Sequence, residues 1–266
     1  MAIKWCLQPN DTSWESYWED VSIDEQIRAT NNDFPKLLNV IKSNSNKNSV
    51  VLEGGCGLGR WLFYLHSLGY KNLIGVDFIS PPLELIKKRA ENIAVKVGNV
   101  DSLPLKDSSI DLYLSMGVLE HFEEGPEKAL NEAHRVLTEN GVMIISVPYQ
   151  NFYRSTIRRF LTMLLLKLFK PPYRNKNRVF YQYYYNKKEL TKFITNARFN
   201  IQEWFYYDQF HTKNFRLGVY LEFPFLRKKA GKLFEINKIG QSIAKCAEAI
   251  SRGIFSSHIV FVVKKT

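Results

Sequence analysis

The stretch VVLEGGCGLGR, residues 50–60, runs a short β-branched and aliphatic segment into glycines at 54, 55, 57 and 59. With the polar NKNS before it, the pattern over 46–54 predicts a turn and then a buried strand that stops in a tight loop. Glycines at 55, 57 and 59 remove Cβ atoms and permit positive φ. The backbone can then approach a ligand, with its N–H groups and the N-terminus of the next helix facing it. Position 60 separates two readings of the loop. The dinucleotide fingerprint G-x-G-x-x-G needs glycine there, and the chain has Arg60. The pattern E-x-G-x-G-x-G, from Glu53 to Gly59, is matched in full.

Working outward, a helix is predicted from Arg60 to Leu68 with Gly69 at its C-terminal cap, then a second buried strand, LIGVD, over 73–77. Pro81 and Pro82 suit the first turn of a helix reaching about Asn92. Strands follow at 94–99, 110–116 and 141–147, with a helix from about Pro126 to Leu137 before the last. This alternation implies an α/β fold with a parallel sheet covered on both faces. The rhythm breaks at Pro148. It resumes with a helix at 186–196, a strand at 199–205 and a final strand at 257–265. The reading is therefore one domain over 1–266, with a core of 35–150, 186–207 and 256–266 and two insertions, 151–185 and 208–255, as an acceptor-side cap.

The 266 residues are 45% hydrophobic and 14% aromatic, which fits a globular protein. The N-terminus has no apolar signal-like region, and no uninterrupted apolar stretch reaches the roughly 18 residues a spanning helix needs. Cys6, Cys56 and Cys246 are far apart and form no metal-ligand spacing, so a reduced, cytoplasmic protein without structural zinc is expected. Eight units of the net charge of +11 lie in 151–180, which has eight basic residues and no acidic one.

Four segments, VVLEGGCGLGR (50–60), GVDFI (75–79), VGNVDSLPLKDSSIDLYLSMGVLEHF (97–122) and RVLTENGVMIISVP (135–148), stand in the order and at the intervals of one family. In them the chain resembles the class I S-adenosylmethionine-dependent methyltransferases, of the small-molecule type. The resemblance implies a Rossmann-like, doubly wound sheet of seven strands, mostly parallel with the last antiparallel, and S-adenosyl-L-methionine as cofactor. It implies that Gly55, Gly57 and Gly59 pack against the methionine and ribose portions, and that Asp77 accepts hydrogen bonds from both ribose hydroxyls. Phe78 and Val100 join the cofactor site on the same basis. Glu53 either lies near the amino-acid end of the cofactor or holds the glycine loop. Where many relatives have Gly-Asp-Ala, this chain has Gly98-Asn99-Val100. Asn99 would give the adenine a neutral contact, with Asp101 as the alternative. Ser115 and Met116 would pass the reactive methyl, and Glu120 and His121 follow in the next loop. Arg60 either meets a carboxylate or is an exposed first-turn arginine.

Methyl transfer needs a base only where the acceptor must lose a proton, and His121 and His211 are the candidates. No Asn/Asp-Pro-Pro motif follows the fourth strand and no Pro-Cys nucleophile is present, which disfavours two kinds of nucleobase methylation. The acceptor expected is a small molecule or a lipid-linked or sugar-linked metabolite, methylated on oxygen or nitrogen. The alternatives are an RNA methyltransferase and a non-catalytic partner subunit of the same fold. Ile157, Phe160, Leu161, Leu164, Leu165 and Leu168 recur at helical spacing among basic residues. That helix reads as a lid, as a peripheral contact of 154–178 with an anionic membrane at its inner face, or as a nucleic-acid contact. The tyrosines at 181 and 183–185 fit base stacking, an apolar pocket or a core strand equally. Trp14, Tyr17 and Trp18 predict an N-terminal amphipathic helix, either lidding the pocket or packed on the core.

Overall fold

The computed structural model describes residues 2–7, 23–24, 27, 35–157, 160, 179–207, 242 and 256–266. Its elements in chain order are β1 (Ile3–Leu7), α1 (Pro35–Ser43), β2 (Val50–Gly54), α2 (Arg60–Ser67), β3 (Asn72–Asp77) and α3 (Ser80–Arg89). There follow β4 (Ala94–Val97), β5 (Ile110–Met116), a 3-10 turn (Leu119–His121), α4 (Glu127–Val136), β6 (Leu137–Pro148) and a π-helical turn (Tyr153–Ile157). The rest are β7 (Val179–Tyr184), α5 (Lys187–Asn196), β8 (Phe199–Tyr207) and β9 (His258–Lys265).

Seven strands form one sheet in the order β4-β3-β2-β5-β6-β9-β8. β2 pairs parallel with β3 and β5, β3 with β4, and β5 with β6, while β9 runs antiparallel to both β6 and β8. The doubly wound sheet with an antiparallel last strand is the architecture the motif order implied. The strand order reverses at β2, whose neighbours are β3 and β5, so the glycine loop leaves the sheet at the switch point where open α/β sheets bind ligands.

Alternating residues divide the core between the two faces. Val51, Leu112, Leu114, Val142, Ile144, Val260 and Val262 join the cluster packed against α1, α2 and α3. Their neighbours Leu52, Tyr113, Met143, Ile145, Ile259, Phe261 and Val263 join the cluster around α4 and α5. Period-2 alternation with both faces apolar gives the continuous hydrophobic runs of a fully covered sheet.

Several boundaries move for local reasons. β4 ends at Val97, two residues short of the expected 99. The Gly98 N–H donates to the Asp77 carbonyl at 2.9 Å and Asn99 bridges to Ser102, which turns the chain. α3 ends at Arg89 rather than near Asn92, and β6 begins at Leu137, four residues before the predicted 141. Asn186 caps α5, its Oδ1 accepting from the Glu189 amide at 2.9 Å, with Glu189 reaching back to the Asn186 amide. The capping residue and its partner stand three apart, as a capping box requires.

Two elements had no counterpart in the sequence reading. α1 adds Leu37 and Ile41 to the first cluster. β1 pairs antiparallel with β7, Ile3 opposite Tyr184, in a two-stranded ribbon apart from the main sheet. The tyrosine cluster is thus strand: Tyr184 and Tyr185 are buried, and Tyr181 and Tyr183 half-buried. The aromatic N-terminal segment with Trp14, Tyr17 and Trp18, most of the predicted basic helix, and His211 lie outside the described residues. Among the described residues no helix is long and apolar enough to cross a membrane.

Candidate functional site

The predicted cofactor residues come together at one edge of the sheet, because β2, β3, β4 and β5 run parallel and each delivers its C-terminal end there. Gly55, Gly57 and Gly59 all have positive φ, at 68°, 49° and 69°. Space is as restricted as backbone conformation. A Cβ on Gly55 would stand 2.5 Å from Val118 Cγ2, and one on Gly59 would stand 2.8 Å from Ile86 Cδ1.

The loop amides do not face outward as expected. Gly55 and Cys56 both donate to the Val76 carbonyl, at 2.7 and 3.1 Å, Gly59 donates to the Cys56 carbonyl, and Gly57 donates to Asp77 Oδ2 at 2.8 Å. The backbone closes on itself and on β3. The amides of Gly55, Cys56, Gly57 and Gly59 are therefore taken up within the protein.

Asp77, which ends β3, is buried and holds both its own turn and the glycine loop: Oδ1 accepts from the Ile79 amide at 3.0 Å and Oδ2 from Gly57. Burial pushes the carboxyl pKa up, and the amides of Ile79, Gly57 and Phe78 oppose that rise. A carboxylate oxygen offers about two lone pairs, so each oxygen keeps acceptor capacity for a hydroxyl. Phe78, next in sequence, is 60% exposed and presents an apolar surface at the same edge. Asn99 is exposed in the turn after β4, whereas the Val100 side chain is buried in the second core cluster.

Glu53 is tied to the helix that follows the loop. Its carboxyl is buried and Oε2 accepts from the Leu62 amide at 3.2 Å, in the first turn of α2. Gly59 precedes that helix without a side-chain cap, so the acid of β2 supplies one from across the turn. Burial raises its pKa to about 8, opposed first by Arg60 and then by the Leu62 amide. The Arg60 guanidinium lies 4.7 Å from the Trp61 ring centre.

At the end of β5, Ser115 is 1% exposed and its Oγ has no partner among the described residues. Met116 is half-buried beside the first core cluster. The 3-10 turn then places Glu120, 2% exposed, whose carboxyl burial raises to about 8. His121 Nδ1 is 2.7 Å from the Tyr181 carbonyl of β7. A carbonyl only accepts, so Nδ1 carries the proton and Nε2 the lone pair; Nε2 stands 3.9 Å from Glu120 Oε1. Burial lowers the His121 pKa and the Tyr181 bond opposes it. Tyr181, sixty positions away in sequence, left no local signal of this contact. Among the described residues no three His, Cys, Asp or Glu side chains stand together as metal ligands.

The seven-stranded sheet of this order has the fold of solved S-adenosylmethionine-dependent methyltransferases. More particularly, residues 52–145 match the family described as "Methyltransferase domain". A "Probable S-adenosylmethionine-dependent methyltransferase" of Mycolicibacterium smegmatis is 31% identical over 98 residues, 37% of this chain and 37% of that protein. The chain thus matches well under half the length of that relative. Among solved structures, a SAM-dependent methyltransferase of Archaeoglobus fulgidus superposes with a TM-score of 0.58 at 15% identity, over 95% of this chain and 100% of that one. The Burkholderia thailandensis 1,6-didemethyltoxoflavin N1-methyltransferase, with S-adenosylhomocysteine bound, superposes with a TM-score of 0.53 at 17% identity, over 95% and 82%.

Proposed function

We propose that this chain is an S-adenosylmethionine-dependent methyltransferase acting on a small-molecule, lipid-linked or sugar-linked acceptor, with methyl transfer to oxygen or nitrogen. The carrying observation is the Asp77 carboxyl, clamped by the Gly57 and Ile79 amides at the switch point with acceptor capacity left over. The residues present fit the cofactor. Three positive-φ glycines fold the loop tightly at the switch point, Phe78 offers an exposed aromatic face, and Ser115 has a buried hydroxyl in need of a partner. When bound, the cofactor supplies an electrophilic methyl group on a sulfonium.

Asp77 would take the ribose hydroxyls, Phe78 would cover the adenine face, and Asn99 would give the base a neutral contact. Ser115 and Met116 would border the reacting end. For an acceptor that must lose a proton, His121 is the base: the Tyr181 carbonyl fixes its tautomer with the lone pair on Nε2. Its lowered pKa keeps it neutral and able to accept near neutral pH. Burial of the adjoining Glu120 carboxyl disfavours a negative charge beside that base.

Calorimetric titration with S-adenosylmethionine and S-adenosylhomocysteine, beside Asp77→Asn, tests the reading. Micromolar binding by the native chain and at least about tenfold weaker binding by the variant are expected from loss of a charge-assisted contact. Absence of binding by the correctly folded native chain would overturn it.

A further inference from the structure

β1 and β7 make a two-stranded ribbon apart from the main sheet, of five and six residues. A ribbon that small is marginal by itself, so contacts off the ribbon decide where it sits. One group of contacts ties its end to the chain after β6: the Gln150 amide donates to the Tyr185 carbonyl at 2.8 Å, and the Tyr185 amide donates to the Pro148 carbonyl at 3.1 Å. A second group falls on one short stretch, the 3-10 turn Leu119–His121 and the two residues after it.

Three residues on one face of the ribbon reach that stretch. Tyr181 and Tyr183 stand two apart on β7, and Lys4 of β1 is the register partner of Tyr183, so the three side chains share a face. The Tyr183 hydroxyl donates to the Glu123 carbonyl at 3.1 Å, and Lys4 Nζ pairs with Glu123 Oε1 at 2.5 Å. The Tyr181 carbonyl accepts from His121 Nδ1 at 2.7 Å, while its ring meets the imidazole edge-on with the centres 5.1 Å apart. Two cross-strand partners therefore grip the same residue, one by its carboxylate and one by its backbone, just beyond the histidine. The Lys4–Glu123 pair is exposed at both ends, 46% and 57%, and exposed pairs contribute little to stability. Placement is the larger effect, because a shift of about 1 Å in a reacting group can cost about a hundredfold in rate.

We propose that Lys4 and Tyr183 are positioning residues: by holding Glu123 they fix the turn so that the Tyr181 carbonyl stays on His121 Nδ1 and the lone pair stays on Nε2. An imidazole released from the carbonyl shares its proton between both nitrogens, because the hydrogen bond made by one ring nitrogen decides which of them carries it. The holding stands on the contacts alone; that the oriented imidazole takes a proton from a methyl acceptor rests on the function proposed above.

The test is nitrogen NMR of the histidine side chains in the isotopically labelled full chain at about pH 8, where His121 is neutral, with its signals assigned by their loss in His121→Gln. In the native chain the tautomer protonated at Nδ1 should exceed the one protonated at Nε2 about tenfold or more, since the alternative leaves a part-buried carbonyl without its donor. Lys4→Met with Tyr183→Phe should lower that ratio at least about fivefold, by the loss of that one hydrogen bond. Tyr183→Phe alone should show part of the change, and Lys4→Arg, which keeps the charge, should stay near the native ratio. A ribbon with a merely structural role would lower the melting temperature of the variants and leave the tautomer in place. A native His121 protonated at Nε2, or an unchanged ratio in the folded variants, overturns the proposal; should the double variant not fold, Tyr183→Phe alone decides in the same way. Because neither cofactor nor acceptor is added, a failed tautomer measurement and a failed cofactor titration are separate results.

Discussion

Replacing Gly55 with alanine should damage the cofactor loop by two separable routes. The first is conformational: φ at 68° is left-handed, which costs a residue with a Cβ about 1–2 kcal/mol. The second is steric. The new Cβ would stand 2.5 Å from Val118 Cγ2 and 3.2 Å from Cγ1, so Val118 or the loop must move, and overpacking of this kind costs about 1–3 kcal/mol. The loop has little freedom to yield, because Gly55 and Cys56 are both bonded to the Val76 carbonyl of β3. Together these give a destabilisation of about 2–5 kcal/mol, with weaker binding of S-adenosylhomocysteine. Val118→Ala removes the steric partner but not the backbone strain. Urea denaturation of the native chain, both single variants and the double variant closes a thermodynamic cycle. The coupling should be about 1–2 kcal/mol, with Val118→Ala rescuing part of the Gly55→Ala loss. A coupling indistinguishable from zero, with the single variant still strongly destabilised, would refute the contact and leave backbone strain as the whole effect. A stability loss under about 0.5 kcal/mol would refute both routes.

Asn99→Asp places a carboxylate where the chain has a neutral amide, and an acceptor made ionic is roughly twice as strong. S-adenosylmethionine should bind about threefold to tenfold tighter by calorimetry, and unchanged affinity would remove Asn99 from the adenine contact. Asn186→Ala removes the side-chain acceptor of the α5 capping box, which should cost about 1 kcal/mol in urea denaturation without altering cofactor affinity. Stability should peak in mildly acidic solution. Glu53 and Glu120 have folded pKa values raised from 4.5 to about 8, so their contribution is complete below pH 4.5 and is lost as pH rises through 8. Burial, assisted by Arg154 and Arg60, lowers His258 from 6.5 to about 3. The unfolded state therefore takes up that proton first, and stability falls as pH drops from 6.5 toward 3. Each group acts with a slope of up to about 1.4 kcal/mol per pH unit. Thermal denaturation across pH should show both flanks, and Glu53→Gln with Glu120→Gln should flatten the alkaline one.

What the chain discloses before folding depends on how far apart the cooperating residues stand. The parallel core was legible because each strand is a local apolar run and each helix carries local punctuation: Gly69 after α2, Pro81-Pro82 opening α3, Asn186 before α5. Gly55, Gly57, Gly59 and Asp77 were legible for the same reason, since a positive φ and a strand-end acid are written in single positions. The contacts that give the site its chemistry are not local. The Leu62 amide that claims Glu53 is nine positions away, and the Val118 side chain under Gly55 is sixty-three. Periodicity cannot announce either. The amides expected to face a ligand are the instructive miss: glycine content predicted a permissive backbone correctly, but the backbone's own acceptors, the Val76 carbonyl and the Asp77 carboxylate, compete for the donors first. The pairing of β1 with β7 was illegible on similar grounds, because an antiparallel ribbon between Ile3 and Tyr184 joins two segments with no turn between them to signal pairing. β7 of that ribbon also carries the Tyr181 carbonyl that meets His121, so the tautomer of the candidate base is held by a strand that pairs with the N-terminal one. A chain lacking residues 1–7 should then keep its cofactor site, which is built from β2 to β5, while losing the orientation of His121. A hydroxyl acceptor would feel that loss in kcat and cofactor affinity would not.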